Sequence, residues 1–103
     1  MKFLSINVYE VSKTAEIAQV ADKVMTNTPG YKSLATYLCL GNPFPGEIPP
    51  NSAVAFSILE VDNEEALAAT SYPMSLAGAN IHRIPIMEVK PGTTGDTERK
   101  LRG

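Results

Sequence analysis

Ala53-Val54-Ala55-Phe56-Ser57-Ile58-Leu59-Glu60-Val61-Asp62-Asn63-Glu64-Glu65 decides the fold of this chain. Its first nine residues, Ala53 to Val61, are rich in β-branched and aromatic side chains and read as a strand. The four that follow are a helix start. Asp62 reads as the N-cap, Glu65 lies three residues on as in a capping box, and the acids suit the positive end of the helix dipole. A strand thus hands directly to a helix.

Forward of that junction, Ala66, Leu67, Ala69 and Thr70 carry the helix to Pro73, which is expected to kink or end it. Met74 to Ala77 add a turn, and Gly78 is the C-terminal stop. Ile81 to Val89 form the last strand, and Pro85 inside it calls for an edge position. Pro91-Gly92 then breaks the chain, and residues 91–103 read as a polar C-terminal arm outside a domain of residues 1–90.

Backward, Gly41 to Asn51 hold four prolines and cannot continue a strand or helix, so they form a long, stiff hairpin loop. The alternatives for this loop are a lid over a cavity mouth or a docking segment. Tyr31 to Leu40 is the strand before it. Asn27-Thr28-Pro29-Gly30 closes an earlier helix, about Lys13 to Thr26, with Ile17, Val20, Ala21 and Val24 at helical spacing and Ser12 as the expected cap. Phe3 to Tyr9 is the first strand. Leu4, Ile6 and Val8 share one side, expected to pack on helices; Phe3, Ser5, Asn7 and Tyr9 share the other.

The order is strand, helix, strand, strand, helix, strand. Right-handed crossovers give an α+β, ferredoxin-like β-α-β-β-α-β fold: a four-stranded antiparallel sheet in the order 4-1-3-2 with two helices on one face. The strand bearing Pro85 falls on an edge, as required. The uncovered face, expected to carry Phe3, Tyr9 and Tyr37, is too apolar to stay bare, which predicts a homodimer joined through the sheet.

Leu38-Cys39-Leu40-Gly41, the run Ala53 to Asp62, Leu76-Ala77-Gly78-Ala79 and Ile84-Pro85-Ile86-Met87-Glu88-Val89 together resemble the GYD-domain proteins and related uncharacterised families of the dimeric α/β-barrel superfamily. The resemblance spans roughly residues 2 to 90. Where GYD proteins have Gly-Tyr-Asp after the second strand, this chain has Gly41-Asn42-Pro43 and a longer loop. The resemblance implies a homodimer whose sheets enclose a cavity. It also implies kinship with cofactor-independent monooxygenases, isomerases, haem enzymes and proteins of no known activity, among which the fold does not choose.

With 103 residues there is room for one core. A net charge of -2 and the absence of a Lys/Arg stripe argue against nucleic acid as a partner. No window approaches the ~18 apolar residues of a membrane span, and lone Cys39 excludes an internal disulfide, so a reducing cytoplasm is the expectation. No sequence motif calls for a cofactor or metal.

His82, the sole histidine, is the candidate catalytic base; its alternative is a strand-end residue bonded to water or backbone. Asn7, Tyr9, Tyr37, Ser57 and His82 are candidate ligand-binding residues, offering amide, hydroxyl and imidazole groups to a small, largely apolar molecule in an inter-sheet cavity. Their alternative is a place in a ligand-free dimer interface. Cys39 reads as a small hydrophobe. Two functions therefore stay open: a small-ligand-binding barrel, with or without cofactor-independent oxygenation or isomerisation, and a structural interaction module.

Overall fold

The computed structural model describes all of residues 1–103. Four strands, β1 (Lys2–Glu10), β2 (Tyr31–Leu38), β3 (Ser52–Val61) and β4 (Asn80–Pro85), alternate with α1 (Thr14–Asn27) and α2 (Glu64–Leu76), and α3 (Thr94–Arg102) follows. The sheet is antiparallel, ordered β2-β3-β1-β4, which is 4-1-3-2 read from the other edge. β4 lies on an edge, where Pro85 is tolerated, and stops there, short of the expected Val89; the Ile86 N–H still reaches the carbonyl of Lys2, the first residue of β1, at 3.1 Å.

The side of the sheet that meets the helices is the reverse of the expected one. Phe3, Leu59 and Val61 form a buried cluster with Ala66 of α2, and Tyr9 packs on Ile17, Met74 and Ala79. Leu4, Ile6 and Val8 therefore face away from the helices. Alternation shows which residues share a side, and a one-residue change of phase exchanges the sides. Here α2 presents mainly small residues, Ala66 and Thr70 among its buried ones, so the bulk that fills the layer comes from the sheet, through Phe3 and Leu59.

Three local readings also shift. Asn63, not Asp62, caps α2: its side-chain oxygen accepts the Ala66 N–H at 2.8 Å. The Asp62 N–H is committed to the Gly30 carbonyl at 2.9 Å, which prolongs the extended chain by one residue. Ser12 does not cap α1 but lies in a 3₁₀ turn, Val11–Lys13, that leads into it. The α2 helix also runs through Pro73 for another turn; the carbonyl that loses its donor belongs to exposed Ala69, where water can replace it.

Residues read as a polar arm contain α3. Its acidic residue Asp96 lies in the first turn and Arg99, Lys100 and Arg102 in the last, matching the helix dipole. Asp96–Arg99 and Glu98–Arg102 ion pairs link successive turns along it.

Candidate functional site

On the helix-facing side, the strand register aligns four polar residues in one row across the sheet. Thr36 lies opposite Ser57, Ser57 opposite Ser5, and Ser5 opposite Arg83. Ser57 is 2% exposed and Ser5 1%. The Ser5 hydroxyl donates to the Asn7 side-chain oxygen at 2.8 Å, and the Thr36 and Ser57 hydroxyls lie 3.4 Å apart. A buried hydroxyl without such a partner would cost on the order of 1–3 kcal/mol.

Arg83 ends this row beneath α2. Its guanidinium donates to the Leu67 carbonyl at 2.8 Å, the Thr70 hydroxyl at 2.5 Å and the Thr70 carbonyl at 3.2 Å. Thr70 donates in turn to the Ala66 carbonyl at 2.8 Å. No carboxylate pairs with Arg83, and its Nε is the one buried side-chain nitrogen or oxygen without a partner. Burial holds the Arg83 pKa below the usual guanidinium value, with Tyr31 opposing that effect. Burial likewise raises the Tyr31 phenol, against the pull of Arg83 and a hydrogen bond with Ser33. The arrangement fastens the edge strand β4 to α2 through a cation held by neutral oxygens. It supplies no acid–base pair.

The open side is different. Its middle row runs Tyr37, Phe56, Ile6, His82, flanked by Ile58, Leu4 and Ile84 on one side and by Val54, Val8 and Asn80 on the other. Tyr37 is 62% exposed and Ile84 45%. The proline-rich loop folds back onto one corner, where Phe44 and Phe56 have ring centroids 6.4 Å apart and planes inclined by 59°. The loop is tied by the Asn42 side chain accepting the Phe44 N–H at 2.8 Å.

The five candidate residues thus divide. Asn7 and Ser57 join the internal polar row, and Tyr9 belongs to the core against α1 and α2. Tyr37 and His82 lie on the open side, at opposite edges of one row and three strand spacings apart, roughly 14 Å. The chain does not bring them together. Cys39 is half-buried with a free thiol.

The polar row was legible only in part. Ser5 and Thr36 were missed as the hydrogen-bond partners of Asn7 and Ser57, and Arg83 with Thr70 as the group that closes the row. The available signal was Arg83 itself, a charge set between Ile81 and Ile84 in a strand otherwise suited to burial.

The recesses of the chain are open and shallow. A recess of about 160 Å³ lined by Met1, Phe3, Val61 and Leu67 falls below the ~300–1,000 Å³ of typical ligand sites. A larger one, about 600 Å³, opens between the end of β1 and the loop and is lined by Glu10, Ser12, Pro49 and Asn51. None of the five candidate residues lines either.

Among solved structures, the chain is similar to the C-terminal domain of the MgtC protein from Mycobacterium tuberculosis. The TM-score is 0.62 at 6% identity, over 87% of this chain and 92% of that one. It is also similar to a dimeric ferredoxin-like protein of unknown function from Jannaschia sp. CCS1, with TM-score 0.52 and 11% identity over 84% and 100% of the two chains. The fold is ferredoxin-like. At these identities the likeness extends to the fold alone. No family model matches the chain, and no curated protein matches it. No helix is long and apolar enough to cross a membrane.

Proposed function

We propose that the protein works as a homodimer of the dimeric α/β-barrel kind, its two open sheet faces turned together around a small, largely apolar ligand. The observation that carries this reading is the open face itself. Leu4, Ile6, Val8, Phe56, Ile58 and Ile84 occupy neighbouring positions on one side of the sheet with no helix over them. An uncovered apolar surface of that extent marks an interaction site.

Surface area supports the same reading. The accessible surface is 7104 Å², whereas a monomeric protein of 11.1 kDa is expected to expose about 5,700 Å². The excess of about 1,400 Å² exceeds the ~800 Å² that each partner contributes to a standard interface. Part of it belongs to α3, which packs extensively on no other element. On this reading residues 1–90 are the barrel unit and residues 91–103 an arm attached to it. The dimeric ferredoxin-like neighbour gives a precedent for a dimer in this fold.

Between facing sheets, His82 and Tyr37 are the polar groups of the middle row, and His82 is the one able to serve as a general base there. A second reading, a ligand-free interaction module, is favoured by one specific observation: the other two members of that row, Phe56 and Ile6, are apolar, so His82 has no carboxylate beside it in the row.

Native mass spectrometry of the purified protein tests both. Twice the chain mass with an added small-molecule increment is the expected result. A dimer of bare chain mass selects the ligand-free module, and a monomer at every concentration overturns the dimer. Ile6→Glu, which sets a charge in the middle of the face, is expected to give a folded monomer.

A further inference from the structure

We propose that the proline-rich loop of each protomer docks on its partner, with Phe44 seated over the corner of the partner's sheet formed by Leu4 and Ile84. The proposal rests on the face-to-face homodimer above and assigns that loop its role.

The open face is not level. Phe44 rises over Phe56 where the loop folds back, and Val54, on the same side and close to the loop, is only 2% exposed. Diagonally across, Ile84 is 45% exposed on the edge strand, opposite Leu4. One corner is raised and the opposite corner is bare.

A two-fold interface presents the same patch on both copies. If raised corner met raised corner, the two loops would hold the sheets apart and leave the bare corners in water, forfeiting the apolar burial that drives association. Only a two-fold that carries the raised corner onto the partner's bare corner closes both.

The loop is also built to dock at low entropic cost. Its prolines fix φ, the Asn42 turn holds the Phe44 amide at 2.8 Å, and the Glu47 N–H returns to the Phe44 carbonyl at 3.0 Å. A segment already in its bound shape loses little freedom on association.

Two measurements test this. In a Cys39→Ser background, Phe44→Cys and Ile84→Cys chains are mixed, allowed to exchange subunits and oxidised. A covalent heterodimer is expected in at least tenfold excess over the product of either chain alone. Light scattering on the same samples separates the outcomes: a dimer that gives no excess cross-link overturns loop docking and leaves the dimer standing, while a monomer overturns both. Separately, Phe44→Ala is expected to keep the far-ultraviolet circular dichroism of the parent and raise the dimer Kd at least tenfold. An unchanged Kd would sink the proposal.

Discussion

The Arg83 guanidinium, reaching inward from the edge strand β4, donates at 2.5 Å to the hydroxyl of Thr70 on α2. This contact joins the outermost strand to the helix layer. It also explains why a threonine, 1% exposed, interrupts the small apolar residues of α2. Thr70 accepts from the cation and donates its own hydrogen bond to the Ala66 carbonyl at 2.8 Å, so its hydroxyl is used in both directions.

Thr70→Val keeps the shape and removes both roles of the hydroxyl. It is expected to lower unfolding stability by about 1–3 kcal/mol, the cost of leaving a buried donor without its acceptor. Arg83→Met fills the same space without a charge and is expected to change stability by less than about 1 kcal/mol, because replacing a buried, unpaired charge by a well-packed apolar chain is often neutral or better. Urea unfolding at one fixed protein concentration compares the two. A larger loss for Arg83→Met than for Thr70→Val would show that the cation stabilises this layer on balance.

Tyr31 gives a pH dependence whose sign is fixed. Burial raises its pKa above the ordinary 10.0. Above pH 10 the unfolded chain gives up the phenolic proton while the folded chain keeps it, so the stability contributed is full below pH 10 and is lost as pH rises through the folded value. Arg83, whose pKa burial lowers below the usual guanidinium value, acts in the opposite direction at still higher pH. Comparison with Tyr31→Phe isolates the tyrosine. Between pH 10 and 11 the parent is expected to lose stability relative to Tyr31→Phe; parallel curves would contradict the burial of this phenol.

Asn63→Ala is expected to cost about 1 kcal/mol, the usual value of an N-cap, and Asp62→Ala less than half of that. Thermal unfolding of the two variants under one set of conditions decides which residue caps α2. Equal losses would mean that Asp62 shares the role.

These two neighbours also show how far the sequence could be read. That a helix begins here was plain from the acids and the apolar run after them. Which of the two residues caps it depended on the distant Gly30 carbonyl, which engages the Asp62 N–H. The same limit governs the sheet. The element order, the antiparallel order of strands and the edge position of Pro85 follow from periodicity and proline chemistry. The covered side did not, because β1 is apolar on both sides, with Phe3 and Tyr9 on one and Leu4, Ile6 and Val8 on the other. A bulge between Ser33 and Ala35 further shifts the phase of β2, placing Tyr31 inside and Tyr37 outside. Of the candidate residues, Asn7 and Ser57 were recognisable as polar groups set in apolar strands, but the row that Ser57 shares with Ser5 and Arg83 exists only through the pairing of β1 with β3 and β4. The α3 helix carries too few apolar residues to show a periodic stripe.

Gly78 is where sequence and structure meet most closely, and it yields the last expectation. It follows α2 with φ at +110°, and the bonds around it form a complete helix-ending motif: the Ala79 N–H reaches the Met74 carbonyl and the Gly78 N–H that of Ser75, both at 3.1 Å. Ala79 and Met74 also share a buried cluster with Ile17, so the turn that ends the helix delivers β4 to the core. A Cβ on residue 78 would lie 2.9 Å from the Lys13 Nζ, at the mobile end of a long side chain that can swing away. The cost of Gly78→Ala therefore comes from the backbone, and a loss of about 1–2 kcal/mol is expected for an L-residue held at positive φ. Gly41→Ala, at a position with open space around it and no positive φ, is expected to stay within about 0.5 kcal/mol of the parent. Matching chemical-unfolding midpoints for the two variants would mean that the α2–β4 turn relaxes without strain and does not fix the approach of β4 to the sheet.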